Sequence, residues 1–238
     1  MLETEKRYMA RPTTVDAVAI DEGLRAYMLR VYNYMASGVL LTGIVAYVVA
    51  NTSLAQVIFG SPLMWVVMFA PLAFVMILSF GINRLSFGTA QAIYWVYCAV
   101  MGASLASILL VFTGASVARV FFITAATFGA MSLYGYTTKA DLSRFGSFLF
   151  MGLIGIILAS LVNIFIGSTA LQFAISVIGV LVFVGLTAYD TQRIKEIYLA
   201  SDDSETMGKK ALMGALSLYL DFINLFILLM QLFGQRRE

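Results

Sequence analysis

The chain of 238 residues contains no histidine, one cysteine and three prolines. The lack of histidine excludes histidine-based metal sites, Ser–His and Cys–His catalytic pairs, and histidine proton relays. The single cysteine, Cys98, excludes an intramolecular disulfide. Charged residues are also scarce, at 12% of the chain, about half the share found in a soluble domain. This is too little charge to cover the surface of a soluble protein of this length.

What the chain has instead is apolar residues, which make up 61% of the total. They form runs of about 17–25 residues, the length that crosses a bilayer as a helix. The predicted spans are 33–51, 63–82, 88–112, 118–137, 145–167, 171–190 and 211–233. No segment alternates apolar and polar residues as a transmembrane barrel does. The fold class is therefore an all-α integral membrane protein with seven transmembrane helices, and its first partner is the lipid bilayer.

The remaining segments predict a simple domain organisation. Residues 1–32 form a charged N-terminal segment, residues 33–234 the transmembrane domain, and residues 235–238 a short tail. From about residue 16 the first segment is either a short interfacial helix or a solvated tail. It is polar and of mixed charge, so no cleavable signal peptide is expected. The weak net charge of +2 does not favour nucleic acid as a partner.

The distribution of lysine and arginine predicts the orientation. With the N-terminus in the cytoplasm, the outer segments carry only Arg119, Arg236 and Arg237, and all other basic residues lie inside. Seven spans then leave the C-terminus outside. A re-entrant sixth run would instead return it to the cytoplasm. The short charged tail and tight loops favour a bacterial inner membrane.

The last span carries a polar stripe. Ser217, Asp221, Asn224, Leu228 and Gln231 recur at intervals of 4, 3, 4 and 3 residues, which is one face of a helix. The acid lies about ten residues into the predicted span, or about 15 Å along it. A carboxylate at that depth costs about 2.5–3.5 kcal/mol on insertion scales. The stripe should therefore face other helices or water, which makes the seventh spanning helix a central one. The acid itself is either functional or a protonated or hydrogen-bonded residue that only sets helix register.

A second acid, Asp190, ends the sixth predicted run. By position alone it is either a solvated ion pair with Arg193 or part of a site. Spacing does not show that it meets Asp221. The predicted ends of the two spans differ in depth by about two to three turns, which argues against contact unless the sixth helix ends below the surface.

Three stretches of sequence resemble the Bax inhibitor-1 family. The most specific is Ala215-Leu-Ser-Leu-Tyr-Leu-Asp-Phe-Ile-Asn-Leu-Phe226, which is similar to the closing signature of that family. The stretch Tyr189-Asp-Thr-Gln-Arg-Ile194 resembles its sixth-helix motif, and Leu24-Arg-Ala-Tyr-Met-Leu-Arg-Val-Tyr-Asn-Tyr-Met35 resembles its start. The likeness extends over nearly the whole chain.

The resemblance implies a seven-helix fold in which the other six helices wrap the last one. It also implies a calcium leak across the membrane that is gated by pH. The acids matching Asp190 and Asp221 would bind the ion and sense pH as a pair near the cytoplasmic mouth. The other polar residues of the stripe that the helical spacing predicts, Ser217, Asn224 and Gln231, are expected to support them. Calcium is then the transported ion, and no cofactor and no catalytic residue are expected.

Elementary electrostatics makes such a pair plausible. Two carboxylates at contact distance cannot both ionise cheaply, so they share a proton and titrate as a unit. Calcium prefers oxygen ligands and would compete with that proton. Loss of the proton would make the two acids repel each other and open a path between their helices.

The chain departs from the family pattern in two places. Some members carry an acid in the second helix and an arginine near the end of the seventh. Here the second run has no charge, and Gln231 stands where the arginine would fall. Arg84, after the second span, lies where the family has basic residues that pair with the sensor acids. Arg84 is either such a latch or a positive-inside anchor, and Arg193 is a second candidate latch.

Rival functions are an intramembrane aspartyl protease and a regulator without transport. Tyr189-Asp190 fits half of the protease pattern, but Asp221 follows Leu218-Tyr-Leu rather than Gly-x-Gly. A retinal pump is excluded, because the last span contains no lysine for the Schiff base. A regulator would act by binding another membrane protein, such as a membrane protease or a cell-death factor. The prediction is a channel rather than an enzyme.

Overall fold

The computed structural model describes residues 14–237, with side chains from residue 21 onward. Its helices are α1 (Thr14–Ala50), α2 (Leu54–Phe59), α3 (Leu63–Gly81), α4 (Phe87–Val111), α5 (Gly114–Thr137), α6 (Ser143–Ile166), α7 (Thr169–Glu196) and α8 (Ser204–Phe233). Every helix except the short α2 is long and apolar enough to cross a membrane. The prediction of an all-α membrane protein with seven spanning helices is confirmed.

The first helix differs from its prediction. α1 begins at Thr14 and continues without a break through residue 33, where the first span was predicted to start. Tyr27, Met28 and Val31 are buried against the other helices. The described part of the N-terminal segment is therefore neither a separate interfacial helix nor a solvated tail. Residues 1–13 of that segment lie outside the described residues, as does Glu238.

The last two helices are longer than hydropathy predicts. α7 runs to Glu196 rather than to residue 190, and α8 begins at Ser204 rather than at residue 211. Asp203 starts α8 because its Oδ1 accepts hydrogen bonds from the backbone N–H groups of Glu205 and Thr206. The polar turns at these ends are helical although they are too hydrophilic to be recognised as membrane spans.

Short connections join the spanning helices. Ser86, Thr113 and Ser168 each cap the helix that follows them with a side-chain oxygen. Gly167 ends α6 with a φ of 66°, a left-handed conformation that favours glycine. The tight turns leave successive spans antiparallel.

α8 is the most buried helix. Of its most apolar window, 72% is buried, against 33% or less in every other span. It packs against α1, α4, α5 and α7, whereas α3 packs mainly on α4 and α6 mainly on α7. The last helix is thus central, but its wrapping by all six other spans is not confirmed.

The bundle has two distinct ends. We call the N-terminal side the end that holds the α3–α4, α5–α6 and α7–α8 connections, and the C-terminal side the opposite end. The predicted tail lies on the C-terminal side, where it pairs with the α4–α5 connection. The N–H of Thr113 donates to the carbonyl of Gln235, and the N–H of Arg237 donates to the carbonyl of Val111, both at 2.9 Å.

Candidate functional site

A cavity of about 1020 Å³ lies between α6, α7 and α8. Ser147 near the start of α6 and Asn163 near its end both line it. Sixteen residues of helix separate them, which corresponds to about 24 Å. The cavity therefore extends along most of a hydrocarbon core of about 30 Å.

The predicted polar stripe of α8 lies along this cavity. Ser217, Asp221, Asn224 and Gln231 all line it. Between residues 211 and 230 every residue of α8 is buried except those at positions 213, 217, 220, 224 and 227. These positions recur at intervals of 4, 3, 4 and 3, so the incompletely buried face of the helix is the face that carries the stripe.

The register of α7 against α8 brings the two acids to nearly the same level. A Cβ on Gly214 would lie 3.0 Å from Ile194, and a Cβ on Gly179 would lie 2.8 Å from Leu228. Because α7 and α8 are antiparallel, these two contacts place Asp190 opposite residue 217, which is about one helical turn from Asp221. The predicted depth difference of two to three turns is wrong, because it compared the ends of two hydropathy segments that both stop short of the true helix ends.

Both aspartates line the same cavity. Asp221 is only 4% exposed, and its Oδ2 receives no hydrogen bond from any described residue. Asp190 is half-buried and lies about one turn from Asp221 along the bundle. An uncompensated buried carboxylate oxygen is costly. A proton or a bound cation would relieve that cost.

The two candidate latch residues differ in position. Arg193 lines the cavity one turn beyond Asp190, but the two residues form no ion pair within 4.0 Å. Arg84 is exposed in the turn between α3 and α4 and is not among the residues that line the cavity. The structure thus brings Arg193 near the acids and leaves Arg84 apart from them.

Three polar residues at the C-terminal side of the cavity were missed in the sequence. Ser176 Oγ donates to Gln231 Oε1 at 2.9 Å and joins α7 to α8. Asn163 Nδ2 donates to Gln172 Oε1 at 3.3 Å and joins α6 to α7. Gln172 and Ser176 are four residues apart in an apolar run, so the helical spacing that revealed the α8 stripe could have revealed them too.

A fourth missed residue, Gln192, holds the N-terminal side of α7 in place. Its side chain is 5% exposed. Its Oε1 accepts a hydrogen bond from the N–H of Leu142, and its Nε2 donates to the carbonyl of Ala140, both at 2.8 Å. Lys195 Nζ donates to the carbonyl of Tyr136, also at 2.8 Å. The turn of α7 that carries Asp190 is thereby attached to the connection between α5 and α6.

The oxygen atoms at this site suit transient binding of a hard cation. Calcium takes six to eight oxygen ligands, and two carboxylates supply at most four. Ser217 and Asn224 offer further side-chain oxygens on the same face of α8. The described residues contain no cluster of three or more His, Cys, Asp or Glu side chains that could hold one metal ion together. The two acids with Ser217 and Asn224 therefore offer several oxygen atoms to a cation on one side of the cavity.

Comparison with known proteins agrees with this architecture. The family described as "Inhibitor of apoptosis-promoting Bax1" matches residues 24–238. The inner membrane protein YbhL of Escherichia coli K12 is 49% identical over 219 residues, which cover 90% of this chain and 94% of YbhL. An uncharacterized protein of Rickettsia prowazekii, RP147, is 48% identical over 227 residues, covering 95% of this chain and 96% of its own. A membrane protein of Streptococcus pyogenes serotype M3, SpyM3_0260, is 37% identical over 221 residues, covering 90% and 95%. The chain is therefore a multi-pass membrane protein that belongs to the Bax inhibitor-1 family.

Proposed function

We propose that the protein is a calcium-leak channel in which the aspartates on α7 and α8 bind the ion and control the opening. The observation that carries this proposal is that Asp190 and Asp221, from two different helices, line one cavity that extends about 24 Å along the bundle. A structural carboxylate would be expected to have its hydrogen bonds satisfied, whereas the buried Oδ2 of Asp221 has no donor among the residues that the structure describes.

The gating mechanism follows from the position of the two charges. In the closed state the two carboxylates share a proton, which removes most of their mutual repulsion. When the pH rises and the proton leaves, two anionic groups about one turn apart repel each other in a medium of low dielectric constant. The helices then separate at the N-terminal side of the cavity, and calcium is attracted to the same oxygens. Flux should therefore rise with pH.

The middle of the cavity supplies the barrier that the acids control. Leu153 and Ile156 of α6 and Phe183 and Leu186 of α7 are apolar residues that line the cavity, the last two at about the levels of Asn224 and Asp221 on α8. An apolar stretch of this kind dewets and blocks hydrated ions when it is narrow. A small displacement of α7 relative to α6 and α8 would widen it.

The proposed location is a bacterial inner membrane, because the relative YbhL is named as an inner membrane protein. The proposed orientation puts the N-terminal side in the cytoplasm. Of the basic residues that the structure describes, only Arg119, Arg236 and Arg237 lie on the C-terminal side. The others lie toward the opposite end, as expected for a cytoplasmic side. The acids would then sense cytoplasmic pH.

The test is calcium flux into proteoliposomes across about pH 6 to 8. Asp221→Asn and Asp190→Asn should each abolish the pH dependence, because a single remaining carboxylate has no partner to repel. Glu196→Gln is the matched control, since Glu196 is an exposed carboxylate on the same helix that does not line the cavity. It should behave like the wild type.

Unchanged flux and unchanged pH response in both aspartate variants would refute the channel proposal. If the purified wild type conducts no calcium but retains a stoichiometric membrane protein, the chain is a regulator instead. If the wild type cleaves a transmembrane reporter and both aspartate variants do not, the chain is an intramembrane aspartyl protease.

A further inference from the structure

A second cavity, of about 450 Å³, lies on another face of α8. It is enclosed by α1, α4, α5 and α8, and its floor on α8 is formed by Phe222, Ile223 and Phe226. Asn51 at the end of α1 and Gly114 at the start of α5 also line it, which places its mouth on the C-terminal side. None of the residues of the first cavity takes part in it.

Two polar side chains in the second cavity, Thr42 and Asn51, already have partners. Thr42 Oγ1 donates to the carbonyl of Cys98 at 2.9 Å and is 2.7 Å from the hydroxyl of Tyr219. Asn51 Nδ2 donates to the carbonyl of Tyr47 at 2.8 Å. Water in a cavity needs two to four polar partners, and here few are left. The volume is about three times that of an apolar cavity of about 150 Å³ that binds benzene, so the space suits an extended apolar occupant.

The cavity opens sideways, toward the lipid. Tyr47 and Phe122, which line it from α1 and α5, are 65% and 71% exposed, and Gly43 of α1 is exposed as well. In a bilayer the apolar molecule that surrounds such an opening is a phospholipid acyl chain. A chain can enter laterally without leaving the hydrocarbon.

A cationic side chain lies at the mouth of the cavity. The backbone N–H of Arg237 donates to Val111, and its Nε donates to the carbonyl of Phe112 at 3.1 Å, which fixes the residue at the rim. Its two terminal nitrogens make no hydrogen bond or ion pair with any described residue. No acidic residue lies on this side among the described residues, whereas Arg119 and Arg236 do. A guanidinium group binds phosphate through paired N–H donors.

We propose that this cavity binds an anionic phospholipid, with one acyl chain in the apolar space and the phosphate group on Arg237. The lipid would come from the leaflet on the C-terminal side. Its chain would rest on Phe222 and Phe226 of the central helix, so the site would connect lipid composition to the packing of α8.

Two glycines provide a matched pair of variants. A Cβ on Gly43 would have no atom within 4 Å although Gly43 lines the cavity, so Gly43→Phe should start without a clash at its Cβ and extend its ring into the space. A Cβ on Gly129 of α5 would also have no atom within 4 Å, and Gly129 is exposed outside the cavity. Gly129→Phe therefore controls for the general effect of a large side chain on a spanning helix.

The experiment is native mass spectrometry of the full chain in a mild detergent, titrated with phosphatidylglycerol or with phosphatidylcholine of the same acyl chains. The wild type and Gly129→Phe should retain one phosphatidylglycerol per chain and bind it more tightly than phosphatidylcholine. Gly43→Phe should lose this bound lipid. Equal retention by the wild type and Gly43→Phe, or no preference for phosphatidylglycerol in the wild type, would overturn the proposal.

The charge is tested separately on the exposed tail, where a substitution does not endanger the fold. Arg237→Gln should reduce the preference for phosphatidylglycerol about fivefold, the effect of one arginine near an anionic headgroup. Arg119→Gln removes an exposed arginine on the same side that does not line the cavity, and should leave the preference unchanged. Equal effects of the two variants would show general surface attraction and refute a built site.

Discussion

Gly135 lies where α5 and α7 approach most closely, and Gly135→Ala should separate them. A methyl group at this position would lie 2.9 Å from both the Cα and the carbonyl carbon of Ala188, and closer still to its oxygen. Ordinary contacts of a Cβ begin at 3.4 Å. The atoms in its way belong to the backbone and cannot rotate aside. α7 must therefore move back by at least about 0.5 Å.

The expected change in the free energy of unfolding is the difference between two opposing effects. Overpacking of a well-packed contact costs about 1–3 kcal/mol. Replacement of glycine by alanine inside a helix favours the helix by about 0.8–1.0 kcal/mol. Gly129→Ala on the same helix has the second effect without the first, because no atom lies within 4 Å of its Cβ. The free energy of unfolding of Gly135→Ala should accordingly fall about 1–3 kcal/mol below that of Gly129→Ala.

The assay is reversible unfolding of both variants in mixed micelles of a mild detergent and sodium dodecyl sulfate. Gly129→Ala should be as stable as the wild type or more stable, and Gly135→Ala less stable than Gly129→Ala. Equal stability of the two alanine variants would show that α5 and α7 are not in backbone contact at Gly135, and the reasoning from this close approach would fail.

Three further predictions concern other parts of the chain. Gln192→Leu leaves the buried N–H of Leu142 without an acceptor and should lower the free energy of unfolding by about 1–3 kcal/mol. Amide exchange in the α5–α6 connection should become faster. Unchanged exchange there would show that Gln192 does not attach α7 to this connection. The hydrogen bond from the N–H of Thr206 lowers the pKa of Asp203. The ionised cap therefore stabilises α8 fully when the pH is above the ordinary pKa of a carboxyl group. This stabilisation is lost as the pH falls through the lowered pKa. The protection of the first-turn amides of α8, measured against their intrinsic exchange rate at each pH, should therefore fall in acid, and Asp203→Ala should lack this protection at every pH. Cys98 is fully buried and should react with a maleimide only after unfolding, so labelling of the native protein would disprove its burial.

Much of the fold can be predicted from the sequence, because desolvation acts on each segment separately. A long run of apolar residues must form a helix in lipid wherever it packs, since its backbone has no other hydrogen-bond partners. The polar stripe on the last span is also a local property, set by the helical repeat and by the cost of exposing Asp221 to lipid. The sequence therefore predicts both the seven spans and the face of α8 that lines the cavity.

The tertiary structure alone decides which residues meet. The level of Asp190 against Asp221 depends on the register of α7 and α8, and the contacts of Gly179 and Gly214 set this register. The separation of Arg84 from the acids depends on the packing of α3 against α4 instead of α8. Contacts of this kind join residues that are far apart in the sequence, and close packing between helix surfaces determines them. Hydropathy carries no information about such packing, so the sequence by itself determines what must be buried and the assembled bundle determines what lies beside it.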